Sequence, residues 1–493
     1  MDVALRSKFK NYKKMKKRNL IPAVGLLSLG IALSSMSGCT DKEKEAVKGC
    51  TDPASVNYNP NATESDGSCT YPNSTVKVDT LKGNITSNMT LTGSATQKYI
   101  LSGFVYVKSG VTLTINPGTI VFGEKLTKGT LIIERGAKLM AEGTASQPIV
   151  FTSNQAAGSR DYGDWGGIII CGKATVNLPG GEGTIEGGTG AMFGGALAPD
   201  DADNSGSLKY VRIEFPGIPF QPNQEINGLT LAGVGSGTTI DYIQVSYSGD
   251  DSYEFFGGTV NAKHIVAHRG WDDDFDTDNG YKGKVQFAVA LRDPAIADQS
   301  GSNGFESDND ATGTSATPAT HPIFSNVSIF GPYCNPSTPA NSLYKRAAHL
   351  RRNTQTCIYN SVMAGYPVGL LIDATTTEAN ATNGDLQFRN NVLCAMTDTL
   401  AVNNGSSFDI TSFFNTSGWG NSKVNGVADL YIHSFNLTAP DFTPYNASPL
   451  MSGADFTNGN LTTWFDVVTY KGAFGSTDWT TSWTNFDPQN TVY

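Results

Sequence analysis

The chain has 493 residues, 39% of them apolar and 16% charged, with 54 glycines, a balance that supports a large buried core and excludes a charge-rich coiled coil or a disordered polymer. Eight of its 35 basic residues and one of its 45 acidic residues precede Cys39, which leaves 27 bases against 44 acids from Cys39 onward. That excess of negative charge points away from nucleic acid and anionic membranes, and toward cations or neutral polar ligands.

All eight early bases lie between Arg6 and Arg18, an apolar stretch runs from Leu20 to Leu33, and Met36-Ser37-Gly38 lead into Cys39. The order of basic, apolar and small residues predicts a cleaved export signal over 1–38, and its apolar part is short for a stable membrane span. Small residues directly before a cysteine resemble the lipobox of bacterial lipoproteins, which implies that Cys39 is lipidated and becomes the new N-terminus. The charged tether that follows, TDKEKEA within 39–49, resembles the acidic export signal of Bacteroidota surface lipoproteins. Together these resemblances imply an outer-membrane, cell-surface protein that meets the membrane through its lipid alone.

Cys50 and Cys69 bound a stretch rich in Asp, Asn, Pro and Gly, GCTDPASVNYNPNATESDGSC. It holds too few apolar residues for a core, so a disulfide between Cys50 and Cys69 is predicted to hold the 50–72 module together. Asp52, Asn57, Asn59 and Asp66 either bind a cation there or simply bond turn backbone. The segment resembles a short Cys-bounded module recurrent in secreted Bacteroidota proteins. Cys171, Cys334, Cys357 and Cys394 lack metal-ligand spacing and read as buried thiols or a further bridge.

After a linker and N-terminal cap over 73–98, short β-rich runs separated by glycine and polar turns begin near Tyr99, as in LTINPGTIVFG and LIIERGAKLMAEGTASQPIVFTS, with no helical periodicity. Related phrases then recur at Leu208, Ile240, Ala262, Lys284, Phe324, Ile358 and Phe388, at offsets of 32, 22, 22, 40, 34 and 30. A bare coil of 22 residues predicts an all-β chain wound as a right-handed parallel β-helix over 99–395, with insertions at 293–303, 310–322 and 331–347. A β-sandwich is the rival, but its hairpin-paired strands do not keep such a register. The 396–493 region loses the register and carries four of the six tryptophans, Trp419, Trp464, Trp479 and Trp483. It is predicted to be an irregular, aromatic-rich C-terminal cap over the open solenoid end.

The repeat brings DDSYEF from Asp250, DDDFDT from Asp272 and SNGFES from Ser302 into line. Tyr253, Phe275 and Phe305 then stack inward. Strand alternation turns Glu254, Asp276 and Glu306 outward, with Asp250, Asp272, Asp274, Asp278, Asp308 and Asp310 on the same face. In the next coil Leu350 points inward and Arg351 joins the outward column. Carboxylates one strand spacing apart repel, and three readings answer that. Calcium can be held by Asp250, Glu254, Asp272, Asp274, Asp276, Asp278, Glu306 and Asp308, with Arg351, Arg352, Arg269 and Lys282 supplying further positive charge. Protonated acids can serve catalysis on glycosides through Glu254, Asp276, Glu306 and Arg351. Or the acids form a ladder that bonds turn amides. Tyr247, Tyr253, Phe256, Trp271 and Tyr281 nearby are either a sugar platform or core. No helix is expected to present His264 and His268 as a zinc pair, and GVGSG at Gly233 reads as a coil corner, not a nucleophile elbow.

The stretches EINGLTLAGVGSGTTIDYIQVSYSGDDSYEFFGGTVNAKH, GSNGFESDND and YKGAFGSTDWTTSWTNFDPQN resemble a family of exported Bacteroidota β-helix lipoproteins, over about residue 99 to the end. The resemblance implies the fold and the location and transfers no catalytic residue. Pectate lyases and polygalacturonases share that solenoid, but fold does not carry function, and the polygalacturonase order of Asn-x-Asp, Asp-Asp, Gly-His-Gly and Arg-x-Lys is missing here. Three functions stay open. One is a lipoprotein that binds a glycan or a partner protein through a calcium-neutralised face, accessory to a TonB-dependent transporter by analogy. The second is a polysaccharide lyase or glycoside hydrolase. The third is a surface-layer or adhesin protein, with Asp79-Thr80-Leu81 and Asp398-Thr399-Leu400 resembling O-glycosylation sites.

Overall fold

The computed structural model describes residues 46–51, 55, 57–69, 76–221 and 224–493. The export signal, Cys39, most of the tether and Asp52 lie outside the described residues. The chain divides into two units, 1–73 and 74–493. In the first, Lys48–Gly49 pairs in parallel with Glu64–Ser65, and a Cys50–Cys69 disulfide closes the module with the two Cα atoms 4.7 Å apart. Its Asx side chains fold onto backbone, with Asn59 Oδ1 accepting from Asn61 N at 3.0 Å and Asp66 Oδ1 from Ser68 N at 2.9 Å, as turn residues do.

The second unit is a parallel β-solenoid with three sheets. The sheet that carries the acidic residues stacks Thr130–Ile133, Gly167–Cys171, Leu229–Val234, Tyr253–Gly258, Phe275–Asp278, Phe305–Ser307, Arg346–Leu350 and Val368–Ile372 in successive coils. The other two sheets share long strands. Thr239–Ser246, Asn261–His268, Lys284–Leu291 and Ile323–Phe330 each pair on both sides of one unpaired residue. That residue is Tyr242, His264, Phe287 or Asn326, at φ 57, 49, 59 and 55, in the left-handed region that side chains other than glycine rarely adopt. Ring stacking helps hold this corner: Tyr210 to Tyr242 at 4.4 Å, Tyr242 to His264 at 4.2 Å and His264 to Phe287 at 5.2 Å. Farther along, Asn360 and Asn390 take the place of the rings at φ 51 and 57, where Asn tolerates the conformation best.

Four details differ from the sequence reading. The ladder begins at Lys77–Ile85 and extends to Ser422–Val424, beyond 99–395 at both ends, because the first strand buries little beyond Leu81 and Ile85 and so shows a weak apolar pattern. Ala262 pairs with Val285, not Lys284, so that coil has 23 residues and the following offset to Phe324 is 39. A further insertion, 172–205, lies between Gly167–Cys171 and Gly206–Glu214. A short helix, Thr375–Asn383, sits in another; TTTEANATN has no apolar stripe to betray it.

The C-terminal region does two jobs. Ile410, Phe413, Phe414 and Trp419 join the solenoid core and close its end. The remainder runs back along the flank as a strap. Asn360 Oδ1 accepts from Asp455 N at 2.8 Å, Gln286 Oε1 from Asp466 N at 2.8 Å and Gln244 Oε1 from Asn485 N at 2.8 Å, while Arg160 Nη1 donates to Pro488 O at 2.6 Å. The strap is there because the outer surface it covers is apolar: Val266, Val289, Leu291, Phe330, Val362 and Val392 pack against Phe442, Phe474 and Trp483. Cys171, Cys334, Cys357 and Cys394 are buried free thiols, and burial pushes those of Cys171 and Cys394 up to about 12 and that of Cys357 to about 11. Trp483 is 1% exposed, so Trp483→Ala is expected to cost about 3–5 kcal/mol in urea unfolding; a loss below about 1 kcal/mol would show that the strap adds little to the fold.

Candidate functional site

Parallel pairing stacks Glu254 on Asp276 and Asp276 on Glu306, with neighbouring strands ~4.8 Å apart. Beneath them Tyr253, Phe275 and Phe305 stack in the core at 5.6 and 5.7 Å between rings. Sheet corners on either side carry the insertions, which wall the column. The 172–205 insertion covers the earlier coils of the same sheet, where the outward residues are apolar: Ile132, Ile169 and Ala232 lie under Val176, Ile185 and Phe193. Asn177 reaches on to donate to Asn309 O at 2.7 Å. The acidic residues thus follow, in the same sheet, the coils whose outward side chains are apolar and covered.

Among the described residues, three overlapping groups bring carboxylate oxygens within 4.8 Å of one another: Asp250, Asp251 and Asp272; Asp251, Glu254 and Asp276; Asp273, Asp276 and Glu306. Asp251 and Asp273, which strand alternation assigns to the opposite face, are therefore central to the cluster. They precede the strands, in turns where alternation does not apply, and the repeated Asp-Asp pair at a 22-residue offset was the signal for them. Both turns are tied to the next coil, since Asp273 N donates to Asp251 Oδ1 at 2.7 Å and Asn303 N to Asp273 Oδ1 at 2.5 Å.

The other predicted acids are placed differently. Asp274 turns into the interior and pairs with fully buried Arg292, whose Nη1 donates to it at 3.1 Å. The same guanidinium donates to the carbonyls of Gly270, Asp272 and Asn303, so one buried cation fastens the turns that present the cluster. Asp308 is held by Arg351 Nε and Arg352 Nη1, both at 2.7 Å. Asp278 Oδ1 accepts from Asn279 N, and Asp310 organises its own loop through Thr312 and Thr314. Arg351 is not the residue stacked on Glu306: His349 is, and its Nδ1 lies 3.2 Å from Glu306 Oε2. Arg351 sits two positions on and reaches back to Glu306 as well as Asp308. Arg269 pairs with Asp293 instead. Of the proposed aromatic platform, Tyr253 and Tyr281 are core, Tyr247 is buried, and Phe256 packs on Phe193 at 5.9 Å. Trp271 alone is open, at 37% exposure.

The electrostatics divide the column. Glu306 is pushed up by burial, but His349 and Arg351 outweigh that and hold it below the usual carboxylate range. Asp251, Glu254, Asp273 and Asp276 are raised well above that range, first by burial and then by the charge of neighbouring carboxylates. Glu254 is 4% exposed, and buried Glu254 Oε1 and Asp276 Oδ1 accept no hydrogen bond from the protein's amide, hydroxyl or cationic donors. The same holds for Asn227 Oδ1 and Asn303 Oδ1. Their amide nitrogens donate to Glu254 at 3.4 Å and to Glu306 at 3.2 Å. A floor of oxygens with spare lone pairs can receive a hard cation or hydroxyl donors.

A raised folded-state carboxyl takes up protons that the unfolded chain does not, so its contribution to stability falls as pH rises above the unfolded value of about 4. His268, kept neutral by burial and pushed down to about 3, slopes the opposite way below about pH 6.5, so the informative quantity is a difference. In chelator, Asp276→Asn is expected to melt at a higher temperature than wild type, by a margin that grows between about pH 5 and 8. A margin that shrinks with pH would contradict the mutual repulsion.

Residues 83–431 match the sequence profile of the pectate-lyase-like β-helix domain family. The crystal structure of pectate lyase Pel9A aligns over 78% of this chain and 88% of that chain, at 10% identity and a TM-score of 0.33. No curated protein matches the chain. Since the profile spans well over half of the sequence, the protein belongs to the pectate-lyase-like β-helix domain family.

Proposed function

We propose that this is an exported glycan-binding protein whose acidic groove takes up calcium, held to the outer membrane by a lipid on Cys39. The observation that carries the reading is the pair of buried, undonated oxygens, Glu254 Oε1 and Asp276 Oδ1, at the centre of the column. The donors there are all hard oxygens, which suit calcium and not zinc or copper. Asp251, Glu254, Asp273 and Asp276 would hold the ion, which would offset their charge and offer open coordination positions to sugar oxygens. Beside the column, a cleft of about 580 Å³ lined by Tyr333, Asn341, Tyr344, Lys345 and Arg346, with Trp271 exposed nearby, supplies the mixture of rings and donors that sugars bind. The family's fold is consistent with a carbohydrate-related role. No helix among the described residues is long and apolar enough to cross a membrane, and a lipid on Cys39 would supply the anchor. A TonB-dependent transporter as partner rests on analogy with lipoproteins of this kind.

The lyase or hydrolase reading draws on Glu254, Asp276, Glu306 and Arg351. Two of these are already committed, because Arg351 is shared between Glu306 and Asp308 and Glu306 also faces His349. A guanidinium so held does not accept a proton. Calcium at a hundredfold excess over its Kd is expected to stabilise the chelator-stripped protein by about 2.7 kcal/mol, and Asp276→Asn to remove most of that gain. Binding to a panel of neutral and acidic polysaccharides is expected to need the ion and to leave the chains intact. Release of unsaturated or reducing ends, lost in Asp276→Asn, would replace the binding reading with an enzymatic one.

A further inference from the structure

At the start of the long strands Thr239–Ser246 and Asn261–His268, Ile240 and Ala262 point into the core. Strand alternation therefore turns Thr239, Asp241, Asn261 and Lys263 outward, and parallel register stacks Thr239 on Asn261 and Asp241 on Lys263. Together with Thr238 they line a cavity of about 310 Å³ that Trp464 of the strap also lines. The acidic column belongs to a different sheet, carried by Tyr253–Gly258 and its neighbours.

Trp464 has φ 74, a left-handed conformation that costs a tryptophan energy and a glycine almost none. Its neighbour Phe465 packs with Leu461 and Tyr359, whereas Trp464 is 36% exposed. Bonds on both sides hold it there. Lys284 Nζ donates to Thr463 Oγ1 at 3.0 Å and Lys263 Nζ to Asp466 Oδ2 at 2.7 Å. Gln286 exchanges two hydrogen bonds with the Asp466 backbone, both at 2.8 Å, and the Lys263 ammonium lies over the Trp464 ring, 4.7 Å from its centre. Strain that the surroundings enforce on an open side chain is the mark of a ligand clamp, not of core packing.

The polar groups beside the ring have bonding capacity to spare. Asn261 Oδ1 accepts from Lys284 N at 2.9 Å, but Asn261 Nδ2 and Thr239 Oγ1 have no partner among the described residues. Asp241 Oδ1 is taken by His264 Nδ1 at 2.8 Å, while Oδ2 lies 3.7 Å from Lys209 Nζ, too far for a hydrogen bond. Charges offset one another locally, Lys263 against Asp466 and Asp241 against Lys209, so the cavity has no lone charge to recruit an ionic ligand. A ring, an N–H donor, a hydroxyl and a carboxylate oxygen around one small cavity suit a pyranose, whose C–H face packs on the indole while neighbouring hydroxyls bond the polar groups. We propose that this cavity is a binding site for a neutral saccharide, with Trp464 as its platform and Asp241 and Asn261 as its hydrogen-bonding groups. It holds no part of the acidic column and does not rest on the calcium reading.

Calorimetric titration of the full exported chain, in chelator, with neutral gluco-, manno-, galacto- and xylo-oligosaccharides tests this. At least one is expected to bind wild type, and Asp276→Asn is expected to bind it equally well. Trp464→Gly is expected to bind it about tenfold more weakly. Glycine is at ease at φ 74, so the same variant is expected to melt close to wild type, which a ring needed for the fold would not allow. Asp241→Asn, which is isosteric, is expected to weaken binding by a similar factor, and it decides the matter if the glycine variant unfolds. No neutral saccharide bound in chelator, or undiminished binding by the folded variants at Trp464 and Asp241, would overturn the site. Binding that Asp276→Asn abolishes would overturn it too, by placing the saccharide at the acidic column.

Discussion

Parallel register is the constraint from which the rest follows. It places Glu254, Asp276 and Glu306 directly over one another, and a strand spacing of ~4.8 Å leaves each neighbouring pair repelling by about 3–4 kcal/mol at an effective dielectric of ~20. A fold can separate such charges, pair them, protonate them or bind a cation. This one pairs only the last of the three, through His349 and Arg351. Glu254, which is buried, and Asp276, which is half-buried, stay close and form no ion pair with a base among the described residues.

Such an arrangement survives because the surroundings over-determine it. Arg292 ties three turn carbonyls and Asp274 beneath the cluster, and backbone amides of one coil donate to carboxylates of the adjacent coil. Tyr344 lies under the same guanidinium, 5.3 Å from its ring centre. Buried polar groups tied together in this way are costly to rearrange, so the unsatisfied oxygens above them cannot simply relax away. Sites where local rules are broken and held in place by their neighbours are characteristic of function.

The solenoid divides its outer surface by use. Where outward residues are apolar, the chain covers them itself, with the 172–205 insertion on one sheet and the C-terminal strap on the flank of the others. Where they are acidic, carboxylates of successive coils gather instead into overlapping groups. The strap follows successive coils in order, with paired hydrogen bonds from Asn360, Gln286 and Gln244 to its backbone. That makes the far end of the sequence a brace for coils formed more than two hundred residues earlier.

Period-two alternation and a repeat near 22 residues are local, periodic signals, and both survive in the sequence. They were enough for the parallel β-helix, for the inward ring stack of Tyr253, Phe275 and Phe305, and for the register of Glu254, Asp276 and Glu306. Turns obey neither period. Whether Asp273 joins the cluster while Asp274 turns inward to Arg292, and whether His349 or Arg351 stacks on Glu306, depends on backbone directions and on a two-residue slip that no spacing records. The path of the strap and the place of 172–205 belong to the same class. They follow from which apolar surface is left uncovered once the coils are stacked, a property that exists only in the folded chain.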